Sequence, residues 1–159
     1  MHLRAQQLID QLGLQPHPEG GYYREVYRSG LQVQSESVKE LRAAMTDIYF
    51  LLSAGQISRW HRVAHDELWN LYEGAPLKLH QLSPDLSTCS SHQLDAEVGC
   101  FKHLVPANYW QAGESCGDYT LVGCTVAPGF DFSDFCMLKD LPETAAKVYA
   151  DFPQLAALI

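Results

Sequence analysis

Between residues 46 and 126 the chain is a series of short segments in which apolar residues run together or alternate with polar ones. They fall at 46–52, 56–62, 67–73, 77–82, 101–105, 109–113 and 119–126, with Gly, Pro, Ser and Asp gathered between them. Successive side chains of a strand face opposite ways, so segments of this length and pattern predict short β-strands. Several such strands with turn residues at this spacing predict a sandwich or barrel. No helix-length pattern alternates with them, which argues against a βαβ plan.

The two ends differ. Ala5, Leu8, Ile9 and Leu12 form one stripe of a helix over 3–12 that Gly13 ends. Gln15 to Gly21 is a turn-rich connector in which Gly20-Gly21 reads as a turn and no phosphate loop, and Tyr22 to Tyr27 reads as a strand. Residues 29–42 are polar and aperiodic, a loop with one helical turn near Lys39. Pro142 opens a helix over 142–152 whose stripe is Leu141, Ala145, Val148, Tyr149 and Phe152, with Glu143 and Lys147 as an i,i+4 pair and Pro153 as its stop.

Composition fills in the class. The 159 residues are 47% hydrophobic and 19% charged, which fits one globular domain over 1–159 with a sizeable core. A net charge of −8 without a Lys/Arg cluster speaks against nucleic acid as a partner. No apolar run has the length of a membrane span, and the N-terminus has no signal-type stretch, so the expectation is a cytoplasmic protein without a membrane partner. Five cysteines, Cys89, Cys100, Cys116, Cys124 and Cys136, form no C-x-x-C pair and read as free thiols in a reducing compartment.

Chemistry concentrates between Gly55 and Gly74. His61, Val63, His65, Glu67, Trp69 and Leu71 share one face if the strand runs unbroken, whereas a turn between His61 and Glu67 would spoil that parity. Imidazole with carboxylate suits a divalent ion or acid/base chemistry, because neither enters an apolar interior cheaply unless paired. For Glu67 the alternative is a salt bridge to Arg62 or Arg24; for Arg24, an ion pair instead of an anionic substrate group; for His65, a solvent-facing turn. The aromatic residues Tyr49, Phe50, Trp69 and Trp110 line or plug the barrel, and Pro128 to Phe132 reads as a structural turn with aromatic anchors.

The same stretch resembles the first motif of the cupin superfamily: Gly, five residues, His, one residue, His, three residues, Glu, six residues, Gly. Gly55, His61, Glu67 and Gly74 fall on it without a gap, Val63 stands at the second histidine, and His65 lies two residues late. Around Pro106 the second motif is weaker, with Gln111 at its histidine. Segments His17–Glu25, Ile48–Leu52, His61–Val63, Asp66–Trp69, Val105–Gln111 and Pro128–Phe132 are similar to the branch known as domain of unknown function 985, over roughly 3–138. Val63 and Gln111 look like features of that family. The resemblance implies an all-β fold, a double-stranded β-helix or cupin jelly-roll barrel spanning about 20–138, with a short helix near each terminus. It also implies a homodimer, and a pocket with no settled activity.

Three functions stay open. One is a metal-independent isomerase or epimerase acting on a small molecule such as a sugar or sugar nucleotide, by analogy with metal-free sugar-epimerase cupins. There His61 and Glu67 are catalytic, His61 taking a proton and Glu67 orienting it, and Tyr49 or Tyr72 returns one. Arg24, Tyr49, His65, Trp69 and Gln111 are the expected ligand-binding residues. The second is a non-catalytic metabolite-binding module. The third is an enzyme with a divalent metal as its cofactor, held by His61, Glu67 and Gln111; a catalytic site of that kind needs three good ligands, and the third would have to be His65 or the neutral amide oxygen of Gln111, a poor ligand.

Overall fold

In the computed structural model, which describes residues 1–159, the chain runs through α1 (Leu3–Leu12), β1 (Gln15–Pro16), β2 (Tyr22–Arg28), β3 (Gln32–Gln34), β4 (Leu41–Ala43), β5 (Thr46–Ser53), β6 (Ile57–Arg62) and β7 (Asp66–Gly74). It continues through β8 (Leu77–Leu82), β9 (Cys89–Leu94), β10 (Lys102–Val105), β11 (Trp110–Ser115), β12 (Tyr119–Ala127), β13 (Cys136–Met137) and α2 (Pro142–Asp151). Sheet one has the order β1-β2-β5-β12-β7-β10 and sheet two β13-β6-β11-β8-β9, both antiparallel, with β3 and β4 as a separate hairpin. From β5 to β8 each strand crosses to the opposite sheet, as do β10 to β13. That alternation is the jelly roll, and the two sheets face each other without closing.

Three apolar clusters hold the layers together. Phe50, Leu52, Trp69, Leu71 and Val122 of sheet one meet Leu77, Leu79 and Leu94 of sheet two between the sheets. On the outer face of sheet one, Leu51 and Leu121 pack against Ala5, Leu8 and Ile9 of α1. On the outer face of sheet two, Trp60, Trp110 and Leu82 pack against Ala145 and Val148 of α2 and Leu138 before it. Each terminal helix is therefore the cover of one sheet. This explains why β5 and β12 are nearly continuous in apolar residues: both of their faces are buried.

The strands expected from 46 to 126 are all present with small changes at their ends. The 29–42 segment is not a loop throughout, because β3 and β4 pair there; the helical turn expected near Lys39 is present, the Lys39 N–H donating to the Ser35 carbonyl at 2.9 Å, and Lys39 leaves it in the left-handed conformation with φ 60°. β9 escaped the pattern because only Leu94 of its six residues is buried, leaving no alternation. Gly13 ends α1 in the left-handed conformation, its N–H turned back on Asp10 and Ile9. Pro142 stands in the first turn of α2, but Tyr149 is exposed, and Glu143 and Lys147 form no ion pair. No helix is long and apolar enough to cross a membrane.

Leu79 is fully buried between the sheets. Leu79→Ala is expected to lower unfolding free energy by about 2–5 kcal/mol. Urea unfolding checks this: a shifted midpoint with an unchanged slope is the outcome that fits a simple cavity.

Candidate functional site

A cavity of about 430 Å³ opens between the sheets, and its lining includes His17, Glu19, His61, Glu67 and Cys124 together with Phe130, Phe132 and Phe135; Phe135 packs against the His61 ring (centroids 5.5 Å) and Phe132 stacks on His17 (6.2 Å). Each polar group arrives from a different element. His61 lies on β6, Glu67 on β7 and Cys124 on β12, while His17 and Glu19 come from the connector after β1. The connector is held against β6 by the Arg59 N–H, which donates to the Glu19 carbonyl at 2.9 Å. Gly20 (φ 112°) allows that approach, since a Cβ there would strike the Ile57 carbonyl. The turn read at Gly20-Gly21 thus delivers a carboxyl to His61.

The hydrogen bonds assign the protons. His61 Nδ1 lies 2.8 Å from the Arg59 carbonyl, which only accepts, so Nδ1 carries the hydrogen and Nε2 presents a lone pair. Nε2 faces Glu19 Oε2 at 3.2 Å. Burial, which raises the Glu19 carboxyl and lowers the His61 imidazole, favours the uncharged form of both. Glu19 Oε1 accepts from Ser58 Oγ at 2.8 Å. His17 Nδ1 accepts the Glu19 N–H at 3.3 Å, which leaves the ring proton on Nε2. Trp69 Nε1 can only donate, and it does so to Gln111 Oε1 at 2.9 Å; this turns the Gln111 NH₂ toward Glu67 Oε2, to which it donates in a short hydrogen bond. Glu67 Oε1 accepts from no nitrogen or hydroxyl of the protein, and the nearly buried carboxyl is also hydrogen-bonded by the Cys124 thiol.

Burial dominates the electrostatics. It pushes the Glu19 carboxyl up to about 8, against the hydrogen bond from Ser58. It pushes Glu67 up to about 7, His61 opposing and Glu19 adding to the rise. It lowers His17 to about 3 and lowers His61 as well. Near neutral pH the site holds two uncharged imidazoles and two carboxyls close to their titration points, a set able to take up and give back protons.

Of the residues expected at the site, His61, Glu67 and Arg24 line the cavity. Arg24 does so with Nη1 donating to the Leu12 carbonyl at the end of α1; it is Arg28 that pairs with Glu25. Glu67 pairs with no arginine, and Arg62 stacks over Trp110. Trp69 and Gln111 sit behind Glu67 and not in the lining. His65 is neither in the cavity nor in solvent: it is buried and bonded to Ser35 Oγ at 2.7 Å, because β6 ends at Arg62 and residues 63–65 turn before β7. Tyr49 packs edge-on to Tyr72 outside the cavity lining, and Tyr72 is half exposed, so neither tyrosine stands where it could return a proton. His17, Glu19 and the three phenylalanines were not expected there. The first two stand far from Glu67 in sequence, in a segment that looks like a turn.

A divalent ion does not suit these donors. No three His, Cys, Asp or Glu side chains are grouped to hold one. Gln111 Oε1, the expected third ligand atom, already accepts from Trp69, and Val63 occupies the position of a second imidazole.

The profile of the family described as Cupin superfamily (DUF985) matches residues 6–138. The chain belongs to this family. Among solved structures, this cupin is similar to a hypothetical protein from Leishmania major at 33% identity and a TM-score of 0.83, over 98% of this chain and 96% of that one. It is similar to a Shewanella oneidensis protein at 34% identity and a TM-score of 0.79, over 97% and 93%. A Bacillus subtilis oxalate decarboxylase shares the fold, at 12% identity and a TM-score of 0.58, over 91% of this cupin and 37% of the decarboxylase. No curated protein matches the sequence significantly.

The raised carboxyls make stability depend on pH. Glu67 and Glu19 hold protons more tightly in the folded chain than at their ordinary value of 4.5. What they contribute is whole below that value and is lost as pH rises through about 7 and about 8. The histidines act oppositely, their contribution being present above 6.5 and lost as pH falls, for His17 through about 3. Glu67→Gln removes one raised carboxyl. Its melting temperature is expected to gain on the wild type between about pH 5 and about pH 8. A difference that stays constant over that range would show an ordinary carboxyl.

Proposed function

We propose that this cupin binds a small organic molecule in the cavity and moves a proton on it without a metal, as an isomerase or epimerase does. The observation that carries the reading is Glu67. It is nearly buried, its carboxyl is pushed up to about 7, Gln111 fixes one of its oxygens, and it lines the cavity beside the Cys124 thiol. A general base works best when its pKa lies near the working pH. In this reading Glu67 Oε1 takes a proton from a carbon beside a carbonyl group. His17, neutral and carrying its hydrogen on Nε2, is the donor to the carbonyl oxygen. The Glu19–His61 pair keeps its proton in place and leaves Glu67 the group that titrates. His61 is thereby a positioning residue, since both of its nitrogens are engaged within the protein.

That engagement of His61 also favours the second reading, a metabolite-binding module without catalysis. Sugars suit either, with hydroxyls for the polar side and a ring face for Phe130, Phe132 and Phe135. The homodimer belongs to this proposal too; exposed Leu104 on β10, an open edge of sheet one, and Phe101 beside it support it.

Proton exchange in heavy water separates the two readings. With a panel of aldoses and ketoses, the wild type is expected to exchange the hydrogen beside the carbonyl. Glu67→Gln is expected to slow this by about 10²–10⁴-fold, with the wild-type rate rising with pH through about 7. Binding without exchange across the panel would leave the module as the function.

A further inference from the structure

One cation of the cavity has no charged partner. The lining holds two guanidinium groups, Arg24 and Arg28, and three carboxyls, Glu19, Glu25 and Glu67. Arg28 and Glu25 form a two-point ion pair, Nε to Oε1 at 2.9 Å and Nη2 to Oε2 at 2.7 Å, so their charges offset one another. Burial keeps Glu19 mostly protonated near neutrality, and Glu67 is close to its midpoint. Arg24 pairs with no carboxylate. Its hydrogen bond within the protein runs from Nη1 to the Leu12 carbonyl at 2.7 Å, an uncharged acceptor.

That bond orients the group without exhausting it. A guanidinium carries five N–H donors in a fixed planar fork. With one of them on the Leu12 carbonyl, the Nε and Nη2 hydrogens stay free. Two neighbouring donors of this kind match two oxygens of a carboxylate or a phosphate. The position is defined from two sides. The carbonyl end of α1 is negative and favours a cation there. Gly13 leaves room for it, since a Cβ at Gly13 would lie 3.5 Å from Arg24 Nη1. Gln15 also lines the cavity here, on β1 beside β2.

This rim is remote from the proposed base. In sheet one, β5 and β12 lie between β2, which bears Arg24, and β7, which bears Glu67. Three strand spacings put about 14 Å between the two backbones. The two side chains and a molecule of sugar size can bridge that span. An anion at Arg24 is then kept apart from the charge that Glu67 develops, while the other end of the same molecule lies at Glu67 and His17.

We infer that the cavity takes molecules with a carbonyl group at one end and an anionic group, carboxylate or phosphate, at the other, and that Arg24 binds the anion. The inference rests on the small-molecule reading above and narrows it to the acidic members of the class.

Arg24 is exposed, so replacing it leaves the core intact. The test measures heats of binding of glucose, glucuronate and glucose 6-phosphate, and of ribose and ribose 5-phosphate, to wild type, Arg24→Gln and Arg24→Lys. Circular dichroism confirms the fold of each variant. Wild type is expected to bind an anionic sugar at least about 10-fold more tightly than its neutral parent. A gain with glucuronate alone assigns the anion as a carboxylate, and a gain with the phosphate esters alone as a phosphate. Arg24→Gln is expected to remove the gain and leave the neutral sugars unchanged. Arg24→Lys, which keeps the charge and loses the fork, is expected to keep part of it. Neutral sugars that bind wild type as tightly as the anionic ones would overturn the inference, as would a preference that survives Arg24→Gln. No binding of any of the five to wild type would instead bring down the small-molecule reading, and the inference with it.

Discussion

A carboxyl and a carboxamide meet across the interior, Glu67 from one sheet and Gln111 from the other, and much of the site follows from keeping them satisfied. Both are buried, and a polar group left unpaired there costs more than its hydrogen bond contributes when made. Trp69 settles the matter, because its ring nitrogen can only donate. It fixes which way the amide points, the amide fixes one oxygen of Glu67, and the carboxyl also takes a hydrogen bond from the Cys124 thiol. The contact also ties β7 to β11 across the gap, at a depth where the apolar core gives way to the cavity.

The second polar pair obeys the same rule from another direction. His61 is anchored by a backbone carbonyl, so its free lone pair is directed at Glu19, and Glu19 reaches it only because Gly20 lets the connector lie against β6. Burial then makes the neutral forms of both groups the cheaper ones. Near neutrality Glu19 is mostly protonated, Glu67 is close to its midpoint, and both imidazoles are uncharged. The aromatic run packed beside them, Phe130 to Phe135, is held to the barrel by Arg28 at the Phe130 carbonyl, by Thr46 Oγ1 at the Phe130 N–H, and by the Arg42–Asp134 ion pair.

The strands, the helices at both ends and the family were legible in the sequence, because each depends on local spacing. Apolar residues at helical or strand period, Gly13 after α1 and Pro142 at the start of α2 need no knowledge of what they pack against. β9 was not legible because an edge strand with one buried residue leaves no pattern, and the β3–β4 hairpin was not because strands of three residues are too short to show alternation. Of the site, His61 and Glu67 stood out by their spacing. His65 stood out for the same reason and proved to belong to a turn that faces Ser35, because the break at 63–65 cancels the parity of an unbroken strand.

The sequence by itself determined the architecture and two of the polar residues in the cavity. Only the tertiary structure decided what those residues meet. Glu19 and His17 lie some forty positions before them in the chain, and a close backbone approach brings them in. The direction of the Gln111 amide, the protonation of the two carboxyls and the commitment of Arg28 to Glu25 all depend on neighbours from other strands. Charge and hydrogen bonding act through space over a few ångströms, whereas sequence periodicity records only which side of its own element a residue faces.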